Sequence, residues 1–247
     1  MNNFGIIIEA RTGSKRLPNK ILKRVNKKTI LDYLVKRVKT QKKIKKIIIS
    51  TTTLKKDIPL VKIAKKNKIG FFQGSENDLI KRVIDTATVN KLKYIVQVTS
   101  DNPFFDIEIF EILLKKFKQK KYDFVSNSLK SFFPIGSDIR IFSLKNLKTT
   151  SKYVKGKARQ HTCYYFLKNL KKIKSYTLKA GSDYHRPDYR LTLDYKSDLK
   201  LIKKIIYNFG NNYCSLKNII KFLDNNKEIS DINSNLPNKL TIPKYRW

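Results

Sequence analysis

The chain has 247 residues, 40% of them hydrophobic, and its formal net charge is +36 at pH 7. This size and apolar content predict one α/β domain over residues 1–247, and they exclude a disordered basic protein and a membrane span of ~20 apolar residues. Only ten of the 55 basic residues are arginine, and lysines occur in every segment, which argues against a nucleic-acid reader dependent on arginine contacts.

Strand and helix patterns alternate along the first half of the chain. Short β-branched runs predict strands, and apolar residues three and four apart predict amphipathic helices. The strands are Phe4–Ile8, Lys46–Ser50, Gly70–Gln73, Lys93–Val98 and Phe124–Asn127, and the helices between them are Thr29–Lys39, Ile58–Asn67, Asp78–Asn90 and Asp106–Phe117. This order predicts a mainly parallel central sheet with helices on both faces.

The alternation loosens after about residue 130, beginning with a stretch that contains Pro134 and Gly136. The patterns predict strands at Asp138–Phe142, Ile173–Leu178 and Tyr189–Leu193, and helices at Ala158–Leu170, Ser197–Phe209 and Ser215–Leu223. Residues 225–247 are rich in Asn and Pro and predict an irregular arm. No linker is long enough to divide the chain into separate domains.

The loop after the first strand combines a glycine, a serine and several cations. Gly13 and Ser14 let backbone N–H groups approach phosphate oxygens, while the cationic side chains neutralise charge. The cations are Arg11, Lys15, Arg16 and Lys20. Neither a Walker A pattern nor a G-x-G-x-x-G fingerprint is present, so the loop predicts a nucleoside triphosphate site of another type.

The segment from Ala10 to Lys20 resembles the A-R-x-x-S-x-R-L-P-x-K signature of cytidylyltransferases that activate sugar acids. Within that group it is most similar to the branch of the spore-coat polysaccharide biosynthesis protein F. The resemblance recurs at Phe72–Leu79, Val98–Pro103 and Arg190–Asp194. It implies a Rossmann-like nucleotidyltransferase fold, and transfer of CMP from CTP to an ulosonic or nonulosonic acid for surface polysaccharide, with release of pyrophosphate.

Two aspartates are candidate ligands of Mg²⁺. Asp101 and Asp194 each follow an apolar strand-like run, and open α/β sheets bind ligands at the carboxyl ends of their strands. The resemblance implies that both hold Mg²⁺, and that Arg11, Arg16 and Lys20 grip the triphosphate with help from Ala10, Gly13 and Ser14. The alternatives are that Asp101 forms a turn and that Asp194 caps a helix.

The remaining site candidates rest mainly on the resemblance. Ser75 and Asp78 match positions beside the base and ribose, although a turn and a helix cap explain them equally well. Gln97 and Thr99 flank the end of a predicted strand and are expected to face the same cleft. The acceptor candidates are Asp138, Arg140 and His161.

Two departures from the family pattern lie at the acceptor side. Arg140 stands where relatives often carry Glu, and Gln160 replaces another carboxylate. These changes leave two alternatives open: a different acceptor (alditol or sugar phosphate) or nucleotide, and a degenerate relative without catalysis. The net charge alone leaves a third, a nucleic-acid-binding protein with steeply salt-dependent affinity.

The sequence also bears on where the protein is found and on what it binds. Cys163 and Cys214 have no C-x-x-C spacing, and the apolar run Ile6–Ile8 is too short for a secretory leader, so we expect a cytoplasmic protein. The resemblance also implies a homodimer formed through an excursion around 130–180. The diffuse positive charge would steer CTP and an acidic sugar towards the protein.

Overall fold

A seven-stranded sheet organises the computed structural model, which describes residues 3–128, 132–210 and 213–237. The strands in chain order are β1 (Phe4–Glu9), β2 (Arg24–Val25), β3 (Lys28–Thr29), β4 (Lys46–Thr52), β5 (Gly70–Gly74), β6 (Tyr94–Thr99), β7 (Phe124–Ser126), β8 (Arg140–Ser143) and β9 (Ser175–Thr177). The short strands β2 and β3 form a separate antiparallel ribbon. The others lie in the order β5-β4-β1-β6-β8-β7-β9.

The central strands run parallel, as the alternating pattern predicts. β1 pairs in parallel with both β4 and β6, and β5 continues the parallel sheet beyond β4. β8 is antiparallel to β6 and β7, while β9 is parallel to β7. In this register Glu9 lies opposite Ser50 on one side and Thr99 on the other. The carboxyl ends of three strands therefore meet at one edge.

Helices cover both faces of the sheet. They are α1 (Ile30–Thr40), α2 (Ile58–Lys66), α3 (Leu79–Val89), α4 (Ile107–Lys118), α5 (Leu144–Ser151), α6 (Tyr164–Lys168), α7 (Lys196–Phe209), α8 (Leu216–Asp224) and α9 (Lys227–Ser230). Alternation along β1 sends Ile6 and Ile8 into the core under α1, α4, α7 and α8, and Ile7 into the core under α3, α5 and α6. None of these helices is long and apolar enough to cross a membrane.

The predicted helix at Ala158–Leu170 is wrong because it is interrupted. Residues Gly156–Gln160 form a 3-10 helix, His161 is extended, and only α6 continues as α-helix. The side chains of Thr162 and Cys163 instead hydrogen-bond to Glu9 and Gln97 on the sheet. These tertiary contacts outweigh the helical spacing of the apolar residues.

The predicted strand at Tyr189–Leu193 is also wrong. Arg190 forms only an isolated bridge to Ile135, because β6 is already paired on both sides by β1 and β8. The segment is held instead by hydrogen bonds from Leu191 N to Ile135 O (2.7 Å) and from Leu193 N to Asp101 O (2.9 Å).

The predicted irregular arm is partly wrong. Its first residues form α9 and a 3-10 helix at Asp231–Asn233. The Asn233 amide then donates to Arg190 O (2.9 Å) and to Asp198 Oδ1 (2.8 Å). The described part of the arm therefore packs behind the segment that ends in Asp194, and residues 238–247 lie outside the described ranges.

A capping box starts α1 and allows a stability prediction. Asp32 N donates to Thr29 Oγ1 (3.0 Å), and Thr29 N donates to Asp32 Oδ2 (3.0 Å). Burial alone would raise the pKa of Asp32, but hydrogen bonds from Asn67 and Thr29 outweigh burial and lower that pKa. Asp32→Ala should reduce the free energy of unfolding by about 1–2 kcal/mol at pH 7, measured by denaturant unfolding.

The pH dependence of this loss follows from the sign of the shift. Because the folded-state pKa of Asp32 is depressed, its stabilisation is complete above the unfolded-state pKa and disappears as the pH falls through the folded-state pKa. The difference between wild type and variant should therefore shrink below about pH 4. Asp85→Ala is the control, since this carboxylate pairs with exposed Lys81 one turn earlier on α3, and it should cost less than about 0.5 kcal/mol. An equal loss in both variants would contradict the capping role.

Candidate active site

A cleft of about 790 Å³ opens at the carboxyl ends of the central strands. One wall is the loop after β1, the floor is the ends of β1 and β6, and the far wall combines β8 with residues 160–164. The structure brings these sequence-predicted residues to its lining: Ala10, Arg11, Gly13, Ser14, Arg16, Lys20, Gln97, Thr99, Asp101, Asp138, Arg140, His161 and Asp194.

Asp101 and Asp194 meet at a single ammonium group. Lys20 Nζ lies 2.5 Å from Asp101 Oδ2 and 2.9 Å from Asp194 Oδ1. The two aspartates are 93 positions apart in the chain, but the hydrogen bond from Leu193 N to Asp101 O holds their backbones side by side. Both carboxylates therefore face the same point in the cleft.

Asp194 is surrounded by positive charge. Arg16 Nη2 lies 2.6 Å from Oδ1, and Arg190 Nη2 lies 2.9 Å from Oδ2. Burial alone would raise the pKa of Asp194, but Lys20, Arg16 and Arg190 outweigh burial and lower that pKa. The carboxylate is thus ionised at neutral pH.

Asp198 holds this arrangement from behind. It is fully buried, pairs with Arg190 Nε (3.0 Å), and accepts hydrogen bonds from the N–H groups of Asp194 (2.8 Å) and Tyr195 (2.9 Å). Asp198, at the third position of α7, is therefore the partner in a capping box in which Tyr195 is the N-cap. The alternative in which Asp194 is the cap is not what the structure shows.

A buried aspartate that the sequence analysis missed anchors the cationic loop. Asp57 Oδ1 accepts hydrogen bonds from Thr12 N (2.7 Å) and Thr12 Oγ1 (2.6 Å), and Thr52 Oγ1 donates to Asp57 Oδ2. Thr12 is buried while its neighbour Arg11 is exposed to the cleft. The backbone of the loop is fixed at Thr12, and its cationic side chains line the cleft.

A second buried carboxylate, Glu9, lies in the floor of the cleft and was also missed. Its oxygens accept hydrogen bonds from Gln97 Nε2 (2.9 Å) and Thr162 Oγ1 (2.5 Å). Burial raises the pKa of Glu9 against the opposing effects of these two donors and of the charges on Arg82 and Arg140. The available signal was a charged residue ending an otherwise apolar strand.

Arg140, which departs from the family pattern, is part of the far wall. Its Nη2 pairs with Asp138 Oδ2 (3.0 Å), its Nε donates to Ser128 Oγ (3.0 Å), and Nη1 lies 3.4 Å from Gln97 Oε1. Burial would lower the pKa of Arg140, but Asp138, Cys163 and Glu9 together outweigh burial and raise that pKa. Two of the predicted substrate-side residues, Asp138 and Arg140, thus form one connected group with Gln97 at the end of β6.

Ser75 and Asp78 do not line the cleft in the described part of the chain. Asp78 Oδ1 accepts from Lys81 N (2.8 Å) at the start of α3, and its Oδ2 pairs with Arg159 Nε (2.6 Å). Ser75 Oγ accepts from Asp78 N (3.0 Å). The structure gives these two residues turn and capping contacts, and Arg82 of α3 reaches the cleft in their place.

His161 lies in the cleft between two arginines. Burial, followed by the charges of Arg11 and Arg140, lowers the pKa of His161. We expect the imidazole to be neutral at pH 7, with a titration midpoint below about 6.5. Proton NMR titration measures it, and the resonance that disappears in His161→Gln assigns it. A midpoint above that value would contradict the burial and the charges assigned to this position.

A family model described as cytidylyltransferase matches residues 5–229. The chain belongs to the cytidylyltransferase family. The resemblance noted in the N-terminal loop is confirmed, and this cytidylyltransferase carries that loop, Asp101 and Asp194 inside the matched region.

Relatives of this cytidylyltransferase cover nearly its whole length. The spore coat polysaccharide biosynthesis protein SpsF of Bacillus subtilis is 29% identical over 218 residues, which is 85% of this chain and 89% of that protein. The structure of a cytidylyltransferase from Leptospira borgpetersenii serovar Hardjo-bovis is 32% identical, with a TM-score of 0.88 over 92% of this chain and 96% of that one.

A more distant structure shares the fold. The CMP:2-keto-3-deoxy-manno-octonic acid synthetase complexed with CTP is 12% identical, with a TM-score of 0.64 over 84% of this cytidylyltransferase and 99% of that chain. The expected Rossmann-like nucleotidyltransferase fold, with a mostly parallel sheet and flanking helices, is therefore confirmed.

Proposed function

We propose that this cytidylyltransferase transfers CMP from CTP to an acidic sugar, with Mg²⁺, and releases pyrophosphate for surface polysaccharide biosynthesis. The observation that carries the proposal is the convergence of Asp101 and Asp194 at one point, opposite a loop of cations anchored by Thr12. Nucleotidyl transfer requires this combination, a grip on three phosphates and an anionic site beside them.

The loop supplies the phosphate grip. Arg11 and Arg16 project into the cleft from the backbone fixed at Thr12. Guanidinium groups bind phosphate oxygens in a bidentate manner, and N–H groups near Gly13 add uncharged donors. These residues would orient the α-phosphorus for attack by an acceptor oxygen and stabilise the charge that develops on the leaving pyrophosphate.

The carboxylate pair fits Mg²⁺. This ion takes oxygen ligands and is commonly held by one or two carboxylates together with substrate phosphates and water. Among the described residues no group of three or more acidic, His or Cys side chains could hold a metal without such help. Asp101 and Asp194 would therefore hold the ion jointly with CTP, and the bound ion would polarise the α-phosphate.

The far wall favours an acidic acceptor. Arg140 and Arg11 line the cleft there beside the imidazole of His161, so the acceptor end offers guanidinium and imidazole N–H donors to a carboxylate. SpsF is named for spore coat polysaccharide biosynthesis, and the distant structure with the same fold is a synthetase for CMP-linked 2-keto-3-deoxy-manno-octonic acid complexed with CTP. The second name supports a sugar acid as the acceptor class, and the first supports a role in polysaccharide biosynthesis. We also propose a homodimer, which analytical ultracentrifugation would test.

Pyrophosphate release tests the activity directly. CTP, UTP, ATP and GTP are each combined with Mg²⁺ and with 3-deoxy-manno-octulosonate, N-acetylneuraminate, an alditol phosphate or a sugar phosphate. We expect release with CTP and an acid and none without Mg²⁺. Release only with a non-acidic acceptor would replace the sugar acid and keep the nucleotidyl transfer. Failure to bind CTP with Mg²⁺ in calorimetry would overturn the proposal.

A further inference from the structure

Two cations of the phosphate-binding loop, Lys20 and Arg16, contact the proposed metal ligands. Lys20 contacts both Asp101 and Asp194, and Arg16 from the same loop contacts Asp194 Oδ1 as well. An ammonium 2.5–2.9 Å from both carboxylates lies at the point between them where a divalent ion would bind both, and the two positive charges would repel each other. While it bridges two carboxylates, the ammonium has at most one N–H donor left for a triphosphate.

We propose that Lys20 couples metal and nucleotide binding by changing partners. Its ammonium bridges Asp101 and Asp194 in the metal-free protein, and it moves to the triphosphate when a divalent cation takes its position. The inference rests on the proposed function in one respect, since it takes the carboxylate pair as the metal site. It adds a positioning role for Lys20 that the phosphate grip alone does not include.

The structure confines the movement to the side chain. Ile21, the next residue, is fully buried, and Lys20 begins a short 3-10 helix whose Lys23 N donates to Lys20 O (3.1 Å). The backbone of Lys20 is thereby held, and the rotatable bonds of its four-carbon stem are the means by which the ammonium can change position.

Exchange of partners links the two binding events. A metal that binds alone must release Lys20 from two carboxylates, and this release opposes binding. A triphosphate offers the released ammonium new anionic partners, so the nucleotide favours the state that admits the metal. By thermodynamic linkage each ligand should then increase the affinity for the other.

Removing the ammonium should have opposite effects on the two ligands. Mn²⁺ is the probe, and its free concentration is measured by electron paramagnetic resonance with wild type, Lys20→Met and Lys15→Met, all without nucleotide. Lys20→Met should bind Mn²⁺ about tenfold more tightly than wild type, because the competing charged hydrogen bonds are gone. CTP binding at saturating Mn²⁺ should be about tenfold weaker in the same variant.

Lys15→Met is the matched control for loss of a nearby positive charge. Lys15 is an exposed loop lysine that lines the cleft but makes no ion pair with Asp101 or Asp194. We expect it to change Mn²⁺ affinity by less than about threefold. Circular dichroism verifies that both variants fold, and Asp101→Asn in the Lys20→Met background should remove the tight Mn²⁺ site.

The outcomes separate this inference from the proposed function. If Lys20→Met binds Mn²⁺ no more tightly than Lys15→Met, or binds CTP with Mn²⁺ as well as wild type, the exchange of partners is wrong even while wild type turns over CTP. If no variant binds Mn²⁺ with or without CTP, the metal site itself is wrong and both proposals fall.

Discussion

Asp101→Asn is expected to lower kcat for pyrophosphate release by roughly 10²–10³ or more while the protein stays folded. The change removes one of the two negative charges that meet at Lys20 Nζ. The amide has the same shape as the carboxylate, and the Asp101 side chain is 28% exposed, so the substitution should cost little stability. Steady-state kinetics with CTP and the active acceptor, together with thermal unfolding, measure both quantities.

A surface aspartate provides the comparison for this variant. Asp183 is 65% exposed, pairs with Lys217, and is not among the described residues that line the cleft. Asp183→Asn should retain essentially full activity. If Asp101→Asn kept more than about a tenth of the wild-type kcat, the proposed role of the carboxylate pair would be untenable, since loss of half its charge could not be so small an effect.

Gly136→Ala is expected to destabilise the protein by roughly 3–5 kcal/mol and to impair the active site at the same time. Gly136 has φ +95, in the region that side chains disfavour. An added Cβ would lie 2.5 Å from Thr192 N and 2.7 Å from Leu191 C. Both contacts are backbone atoms of the segment that leads directly into Asp194, so relief of the clash must displace that segment.

The free energy of unfolding, measured with denaturant, and the rate of pyrophosphate release should therefore both decrease in this variant. Gly181→Ala is the matched control, because a Cβ there meets nothing within 4 Å, and its stability should stay within about 0.5 kcal/mol of wild type. If Gly136→Ala were as stable as Gly181→Ala, the backbone at Gly136 and at Thr192 could move apart at no cost, and the predicted clash would be wrong.

The site was predictable from the sequence where it depends on strand ends. Asp101 and Asp194 each follow an apolar run, and the loop from Ala10 to Lys20 follows another. Parallel strands bring their carboxyl ends to one edge, so residues at such positions converge without knowledge of the loops. Ser75 and Asp78 also follow a strand but do not line the cleft, because their side chains make turn and capping contacts at the start of α3.

The residues that sequence reasoning missed are held by partners distant in the chain. Asp57 fixes the loop through Thr12, and Glu9 draws Thr162 out of a helical pattern. No periodicity marks such pairs, because each is a hydrogen bond between a buried carboxylate and a hydroxyl that only the packed structure brings within reach.

The amino-acid sequence by itself determined the alternating strands and helices, the cationic loop and the placement of two aspartates after strands, since these depend on local pattern and on chain order. Only the tertiary structure decided that both aspartates face Lys20, that residues 161–163 leave the helix, and that 189–193 stay outside the sheet. The physical reason is that these outcomes depend on packed elements. They require charge pairing, burial of polar groups and the pairing of β6 with β1 on one side and β8 on the other.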